Sequence, residues 1–222
     1  MILYDFELSG NCYKIRLFLS ILGLSWETRT VDFYPGGEHR SDWFRAINPM
    51  GQLPVLDDGG RIVCDSQAIL TYLALTRDGT GQWFPVADPE RAGQTVRWLA
   101  FADALTPTIA AARLHDTMMI EGIDAEAARK GAHRLLRSLD EHLWFAERES
   151  AGWVVPGAHP TIADLAVFPY VMLSEDGGIP RLDYPAIRRW CDRVRRIPGF
   201  TGMSGVFPTS PAAPVAPDPA AA

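Results

Sequence analysis

The stretch GQLPVLDDGGRIVCDSQ, residues 51–67, holds the strongest local signals in the chain. Two short, mostly apolar runs, residues 53–56 and 61–64, flank two acids and two glycines at residues 57–60, a combination typical of the turn between antiparallel strands. Asp65 then offers the kind of side chain that favours the start of a helix. The stretch predicts a β-hairpin that leads directly into a helix.

The residues before this hairpin alternate short strand-like runs with helical runs. Residues 1–6 predict a strand, and apolar residues at positions 15, 18, 19 and 22 fall on one face of a helix over residues 11–22. A second strand over residues 26–31 and a short helix over residues 41–47 follow. With the hairpin and its helix, the first 77 residues predict an α/β domain with the element order βαβαββα.

The periodic segments after this domain are helical. Residues 78–87 form a glycine-containing linker, after which Asp88, followed by proline, opens a long helix that carries apolar residues as far as Ile109. Further helices begin at Asp124 and Pro185. We therefore predict an α/β domain over residues 1–77, a linker over 78–87, an all-helical domain over 88–203 and a proline- and alanine-rich mobile tail over 204–222.

One motif in the helical part is structural. In HPTIADL, residues 159–165, Thr161 and Asp164 have the spacing of a capping box, in which each side chain accepts a hydrogen bond from the other residue's backbone N–H. We assign these residues to folding and leave them out of the active site.

Composition and charge exclude several classes of function. The chain is 47% hydrophobic and 22% charged, with a formal net charge of −6, and its arginines are scattered, whereas a nucleic-acid surface needs a concentrated basic stripe. No apolar run approaches the roughly 20 residues of a membrane span, and the first residues lack the features of a secretory leader. Three widely spaced cysteines and no paired-histidine spacing favour a reducing compartment and no bound metal. We expect a cytoplasmic protein that binds neither nucleic acid nor membrane.

The first chemically interesting segment is SGNCYK, residues 9–14, between the first strand and the first helix. Free backbone N–H groups and the positive end of the helix dipole favour an anion there. Ser9 and Cys12 have the spacing of the CxxC pair of thioredoxin-like folds, with a hydroxyl that can donate to the thiolate of a bound cofactor such as glutathione. Alternatively, Ser9 or Asn11 only caps the helix, and Cys12 is a small buried residue.

Two further elements suit a peptide ligand. Pro54 is a candidate for a cis peptide bond that would leave the backbone of Leu53 free to pair with an extended peptide, or else it is a turn proline that starts an edge strand. At the next helix, the backbone N–H groups around Ser66 can hold a carboxylate, and Asp65 can receive an ammonium group. Asp65 is otherwise a simple helix cap.

In this order and spacing, the elements around Ser9, Pro54 and Ser66 resemble the glutathione transferase superfamily, and the resemblance extends to about residue 200. It implies a thioredoxin-like N-terminal domain followed by an all-α bundle. It also implies roles for particular residues: Ser9 and Asn11 at the glutathione thiolate, Leu53 and cis-Pro54 at the cysteinyl backbone with Gln52 beside them, Asp65 and Ser66 at the γ-glutamyl end, and His39, or Arg40 next to it, at the glycine carboxylate.

The class within the superfamily follows from the same turn. Ser9-Gly10-Asn11 is similar to bacterial and fungal, nu-like members in which a hydroxyl and an asparagine share the thiolate, and theta- and zeta-like classes also use serine. Tyr4 lies inside the predicted first strand, so the sequence lacks the early tyrosine of animal-type members, and it has no cysteine at position 9.

The resemblance places the pocket for the second substrate between the loop after the first strand and the long helix. The residues expected there are Phe101, Leu105, Arg113 and Met118. Alternatively, Arg113 lies on a solvated helix face, and the apolar residues belong to the core.

We therefore expect an enzyme, a glutathione transferase that activates the thiol of glutathione for attack on an electrophilic small molecule. A glutathione-dependent disulfide reductase, isomerase or dehalogenase would use the same site. The alternative of another class is a non-catalytic glutathione-binding or protein-interaction module. The resemblance also implies a two-fold homodimer in which each N-terminal domain faces the partner's helical domain.

Overall fold

The computed structural model describes residues 1–203, so the predicted tail over residues 204–222 lies outside the described residues. The N-terminal part has the predicted order βαβαββα, with a short 3-10 helix, Glu38–Arg40, before its second α-helix. Its elements are β1 Ile2–Asp5, α1 Gly10–Ile21, β2 Glu27–Thr30, α2 Asp42–Ile47, β3 Val55–Asp58, β4 Arg61–Cys64 and α3 Ser66–Arg77.

The four strands form one mixed sheet in the order β2-β1-β3-β4. β1 runs parallel to β2 and antiparallel to β3, and β3 runs antiparallel to β4. Tyr4, near the end of β1, pairs with Val55 at the start of β3, and Val55 in turn pairs with Cys64 at the end of β4. This register brings the loop after β1, the loop before β3 and the start of α3 to the same edge of the sheet.

The remaining described elements are helical. They are α4 Pro89–Ala104, α5 Ala111–Met118, α6 Ala125–Glu149, α7 Ile162–Met172 and α8 Pro185–Val194, with a π-helical turn, Thr106–Ala110, and a short 3-10 helix, Ser174–Gly177. The prediction of a helix continuing to Ile109 was wrong, because α4 ends at Ala104. Pro107 follows, and proline has no backbone N–H and clashes with the preceding turn.

α7 is the central helix of the molecule. It is buried from Ile162 to Val171 and packs against both α4 and α1. The predicted capping box at its start is confirmed. The side chain of Thr161 accepts a hydrogen bond from the backbone of Asp164, and the side chain of Asp164 accepts one from the backbone N–H of Thr161. One cluster of buried apolar side chains includes residues of both the sheet-containing and the helical parts, and the boundary between domains at residues 78–87 stays a prediction.

Within residues 1–203, no helix combines the length and the apolar character that crossing a bilayer requires.

Candidate active site

Ser9 is the N-cap of α1. Its backbone is extended, with φ −81° and ψ 122°, and its Oγ accepts a hydrogen bond from the backbone N–H of Cys12 at 3.3 Å. Ser9 therefore caps α1, and whether capping is its only role is not tested by this bond. Because a hydroxyl has one donor and two acceptor lone pairs, this bond leaves the proton of Ser9 unused. Capping the helix and donating to a ligand are compatible roles.

The side chains of Asn11 and Ser66 meet at this edge of the sheet. The buried hydroxyl of Ser66 lies between two amide oxygens, Oδ1 of Asn11 at 3.3 Å and Oε1 of Gln67, and can donate to only one of them at a time. Gln67 Nε2 donates to Asp103 Oδ1. A polar chain therefore runs from the first turn of α1, through the start of α3, to the end of α4.

Asp65 is the N-cap of α3 and has an unusual backbone conformation. Its Oδ1 accepts from the backbone N–H groups of Gln67 at 2.9 Å and Ala68 at 3.0 Å, as the simple capping interpretation predicts. Its φ of 76° with ψ of 134° lies outside the well-populated regions for a residue with a side chain. Such conformations cost on the order of 1–3 kcal/mol and concentrate at ligand clamps and active sites.

The peptide bond between Leu53 and Pro54 is cis, as predicted. Asn48 fixes the loop before it: the buried side chain donates through Nδ2 to the carbonyl of Gln52 at 2.8 Å and accepts from the N–H of Met50 at 3.1 Å. Among residues 1–203, no hydrogen bond uses the backbone of Leu53. The loop thus presents a free N–H and C=O next to the start of β3.

His39 is buried, although a lone loop histidine is more often solvated. Its ring stacks on Phe33 with centroids 4.1 Å apart, and Nε2 accepts from Nε of Arg40 at 3.2 Å. Burial, with Arg40 and Arg45 nearby, lowers the pKa of His39, so the ring is neutral at pH 7. Since Nε2 is the acceptor, the proton is on Nδ1, which is buried and has no partner among the described residues.

Cys12 is a core residue, as its alternative interpretation predicted. The side chain is fully buried, and Sγ accepts a weak hydrogen bond from the N–H of Phe6 at 3.5 Å. Burial, reinforced by the charge of Asp5, raises the pKa of Cys12 to about 12. The thiol is therefore protonated at neutral pH and is not a nucleophile.

The four residues expected to bind the second substrate do not form one open cleft in this structure. Leu105 has no exposed surface, Met118 is buried, and Phe101 packs edge-on against Trp98 with centroids 4.9 Å apart. Arg113 is also buried, so it is not a solvated helix residue. Their role at a second-substrate pocket stays a prediction.

Arg113 connects the helical part to the Ser9 loop. Its Nη1 donates to the carbonyl of Leu8 at 2.7 Å, and its Nε donates to Asp176 Oδ2 at 3.1 Å. Leu8 directly precedes Ser9, so the guanidinium fixes the backbone from which the candidate hydroxyl extends.

The sequence pattern indicates no role for Asn48, Gln67, Asp103 or Lys14. Gln67 lies directly after Ser66, at the predicted start of a helix. Lys14 is fully buried, and its position one helical turn after Gly10 and one before Phe18 was the available signal. Asn48 and Asp103 had no local signal, because only the folded chain places them beside these loops. Among residues 1–203, no group of three or more His, Cys, Asp or Glu side chains is arranged to hold a metal ion.

Comparisons with known proteins identify the family. The family model described as "Glutathione S-transferase, N-terminal domain" matches residues 3–81. The chain is 35% identical to a maleylacetoacetate isomerase of Rhizobium meliloti over 77% of this chain and 79% of that protein, and 29% identical to mouse glutathione S-transferase theta-1 over 89% and 83%.

A solved glutathione S-transferase of Pseudomonas fluorescens Pf-5 superimposes with a TM-score of 0.80 and 33% identity, covering 91% of this chain and 98% of that one. The serine turn at the start of α1, the cis-proline loop and the capped start of α3 thus occur in a chain that belongs to the glutathione S-transferase superfamily.

Proposed function

We propose that the chain is a glutathione transferase in which the hydroxyl of Ser9 donates a hydrogen bond to the thiolate of glutathione and so activates it for attack on an electrophilic small molecule. The observation that carries this proposal is the convergence of three loops at one edge of the sheet. They offer the hydroxyl of Ser9, the unpaired backbone of Leu53 and the hydroxyl of Ser66.

The free energy needed to ionise the thiol of glutathione is within what Ser9 and the start of α1 can supply. A free thiol has a pKa of about 8.5, so full ionisation at neutral pH needs a shift of roughly 2 units, or about 2.7 kcal/mol. The dipole of α1 supplies about 0.3–1 kcal/mol, and a hydrogen bond to a charged group about 1.5–3 kcal/mol. The dipole alone is insufficient, and together with Ser9 it suffices. Asn11, whose Oδ1 faces Ser66, shares this end of the ligand in our proposal.

The other two loops and His39 suit the rest of glutathione. The free backbone of Leu53 suits the cysteinyl residue, which would pair with it as an added strand, with Gln52 beside it. The carboxylate of Asp65 suits the γ-glutamyl ammonium, and the N-terminus of α3 at Ser66 suits the γ-glutamyl carboxylate. The buried Nδ1–H of His39 suits the glycine carboxylate as a neutral donor.

Isomerisation is the second candidate reaction, because the relative that is 35% identical is named maleylacetoacetate isomerase. The site would serve it with the same activated thiolate. The sulfur adds to a conjugated cis double bond, the resulting single bond rotates, and the sulfur leaves to give the trans product and free glutathione. No atoms are transferred overall, so this reaction needs no second co-substrate.

Retention on immobilised glutathione, followed by three assays, tests the proposal. The assays are conjugation of chlorodinitrobenzene, reduction of hydroxyethyl disulfide and isomerisation of maleylacetoacetate. We expect turnover in at least one assay and its loss in the Ser9→Ala, Asn11→Ala double variant, whereas Ser138→Ala, an exposed serine on α6, retains it. Binding without turnover in all three assays would favour the non-catalytic module. Absence of binding by folded protein would overturn the proposal.

We also propose that the chain forms the homodimer expected for the superfamily. Exposed apolar side chains on β4, α3 and α4 support a contact surface there. Ile62 on β4 is 42% exposed, Leu75 on α3 is 54% exposed and Val96 on α4 is 53% exposed. We predict that Leu75→Arg together with Val96→Arg yields a monomer in light scattering. Leu182→Arg, at an even more exposed apolar position near α8, should leave the mass unchanged. A monomeric parent protein would contradict the prediction.

We further propose a cytoplasmic location. Its support is chemical: all three cysteines, Cys12, Cys64 and Cys191, are free thiols, which suits a reducing compartment. Fractionation of the producing cells with antibody detection would test it, and recovery with extracellular or periplasmic markers would contradict it.

A further inference from the structure

The ammonium group of Lys14 is enclosed in the molecule without a hydrogen-bond partner. The side chain has no exposed surface, and its Nζ makes no hydrogen bond with any residue in the described part of the chain. The effective cost of burying such an ion is several kcal/mol. The other lysine, Lys130 on α6, is exposed. A charge that costs this much and supports no ion pair calls for a function.

Lys14 lies where the two parts of the chain meet. On the face of α1 that packs against α7, a Cβ added to Gly10 would meet the ring of Tyr170 at 2.8 Å, and one turn further Nζ of Lys14 lies 5.2 Å from the centroid of the same ring. Burial raises the pKa of Tyr170, so its hydroxyl stays neutral. The ring provides at most a cation–π contact and no counter-charge.

The counter-charges come from two other elements. Asp103 at the end of α4 and Asp65 at the start of α3 both favour the charged form of Lys14, while burial opposes it more strongly and lowers the pKa of Lys14 to about 8. On α1 itself, Cys12 is neutral and Arg16 forms an ion pair with Asp5. The group of one ammonium and two carboxylates therefore has a net charge of −1 with Lys14 protonated and −2 without.

The same two carboxylates border the proposed γ-glutamyl site. Asp65 caps α3 directly before Ser66, and Asp103 accepts from Gln67, whose side-chain oxygen lies at the hydroxyl of Ser66. The protonation state of Lys14 therefore changes the electrostatic potential at the position where the γ-glutamyl end would bind.

We propose that Lys14 is a positioning residue for glutathione: its buried ammonium offsets the charges of Asp65 and Asp103, and the tripeptide binds with uptake of a proton by Lys14. This inference rests on the proposed function. Glutathione has two carboxylates and one ammonium, so it is an anion even with a neutral thiol. A cluster with a net charge of −2 repels it more than a cluster with −1. In the protein molecules whose Lys14 is neutral, binding therefore favours protonation of that amine.

Titration calorimetry with S-methylglutathione tests this, because the sulfur of that ligand cannot ionise. Measurements at pH 8 in phosphate and in Tris, which differ in ionisation enthalpy, give the number of protons taken up. We expect the parent protein to take up a fraction of a proton more than Lys14→Met does. We also expect its affinity to fall between pH 7 and pH 9.5 by about threefold to tenfold more than that of Lys14→Met, since one pKa unit of coupling is about tenfold. The ligand's own amine titrates identically in both proteins.

Two further variants complete the test. Lys130→Met removes the exposed lysine and should match the parent in proton uptake and in pH profile. Asp103→Asn, at an exposed position, removes one supporting charge and should move the inflection in affinity to lower pH. If Lys14→Met does not fold, this shift decides the question.

The outcomes separate the two proposals. Equal proton uptake and parallel pH profiles in the parent and Lys14→Met, or an unmoved inflection in Asp103→Asn, would overturn the role of Lys14 and leave glutathione binding intact. If the folded parent protein bound no S-methylglutathione and no glutathione, both proposals would be overturned.

Discussion

At the residue scale, Arg113 links the stability of the helical part to the position of Ser9. Replacing it by methionine removes the donor at 2.7 Å from the carbonyl of Leu8 and the partner of Asp176. We predict that Arg113→Met lowers the free energy of unfolding by about 1–3 kcal/mol, the penalty of leaving buried polar groups unpaired. We predict that kcat falls about tenfold, equivalent to 1.36 kcal/mol, because the Ser9 loop loses its anchor. Urea denaturation and steady-state kinetics measure the two effects.

Asp176→Asn is the matched control for this prediction. It removes the half-exposed charge partner but retains the bond from Arg113 to Leu8. We expect Asp176→Asn to keep most of kcat. If both variants lost kcat equally, the contact with Leu8 would not be the reason.

The residues nearest to local motifs were predictable, and those defined by tertiary contacts were not. The capping positions of Ser9 and Asp65 are predictable because an N-cap is recognised from its own residue type and its immediate neighbours in sequence. Lys14 was missed because α7, which covers it, lies about 150 residues away in sequence. Helical periodicity identifies the apolar face of α1 and does not indicate that a second face is also enclosed.

At the element scale, α7 depends on one carboxylate. Asp164 is fully buried and accepts from three N–H donors: Thr161 at 2.9 Å, Val154 at 3.0 Å and Trp190 Nε1 at 2.9 Å. Asp164→Ala leaves these buried donors without an acceptor. We predict a loss of about 3–5 kcal/mol in the free energy of unfolding, since each unsatisfied buried donor costs about 1–3 kcal/mol and part of the loss relaxes. Chemical denaturation measures it.

Asp124→Ala is the control for Asp164→Ala, because Asp124 is also an aspartate at the start of a helix. Asp124 caps α6 through a single bond to the N–H of Ala127 at 2.9 Å and is exposed. Its removal should cost about 1 kcal/mol, the usual value for an N-cap. Equal losses from Asp164→Ala and Asp124→Ala would contradict the view that Asp164 joins the start of α7 to α8.

The order of elements was largely predictable because its signals are short-range. The DDGG turn fixed the hairpin of β3 and β4, and the capping residues marked the starts of α3, α4 and α6 to within a residue. The break after Ala104 was missed because apolar periodicity continues to Ile109 across Pro107. In that segment the backbone of proline overrides the side-chain pattern.

At the scale of the whole molecule, burial of histidine makes stability depend on pH. The ring of His142 lies between the ring of Trp98, with centroids 4.6 Å apart, and the carbonyl of Val154. Burial lowers the pKa of His142 in the folded state. The unfolded chain therefore binds a proton below about pH 6.5 before the folded chain does. We predict that the free energy of unfolding falls between pH 7.5 and pH 5.5, by at most about 1.4 kcal/mol per pH unit for this group. Urea denaturation across that range measures it.

His142→Gln keeps a donor for Val154 and should reduce this slope. His159→Gln, at an exposed position, should not change it. A slope that is the same in all three proteins would show that His142 is not the titrating group.

The two-part architecture was predictable, and the interface between the parts was not. The change from mixed to purely helical pattern is visible along the sequence, whereas the packing of α7 onto α1 follows from tertiary contacts of helices that each have several apolar faces. The arrangement that encloses Lys14 and fixes Leu8 through Arg113 is a property of that interface.

The role of Ser9 is tested by the pKa of the thiol of bound glutathione, measured by ultraviolet difference spectroscopy of the thiolate. In the parent protein we predict a pKa about 2 units below the free value of about 8.5. In Ser9→Ala it should rise by about 1–2 units, the equivalent of one hydrogen bond to a charged sulfur, whereas Ser9→Thr should keep it low. An unchanged thiol pKa in Ser9→Ala, with glutathione still bound, would contradict the claim that Ser9 holds the thiolate.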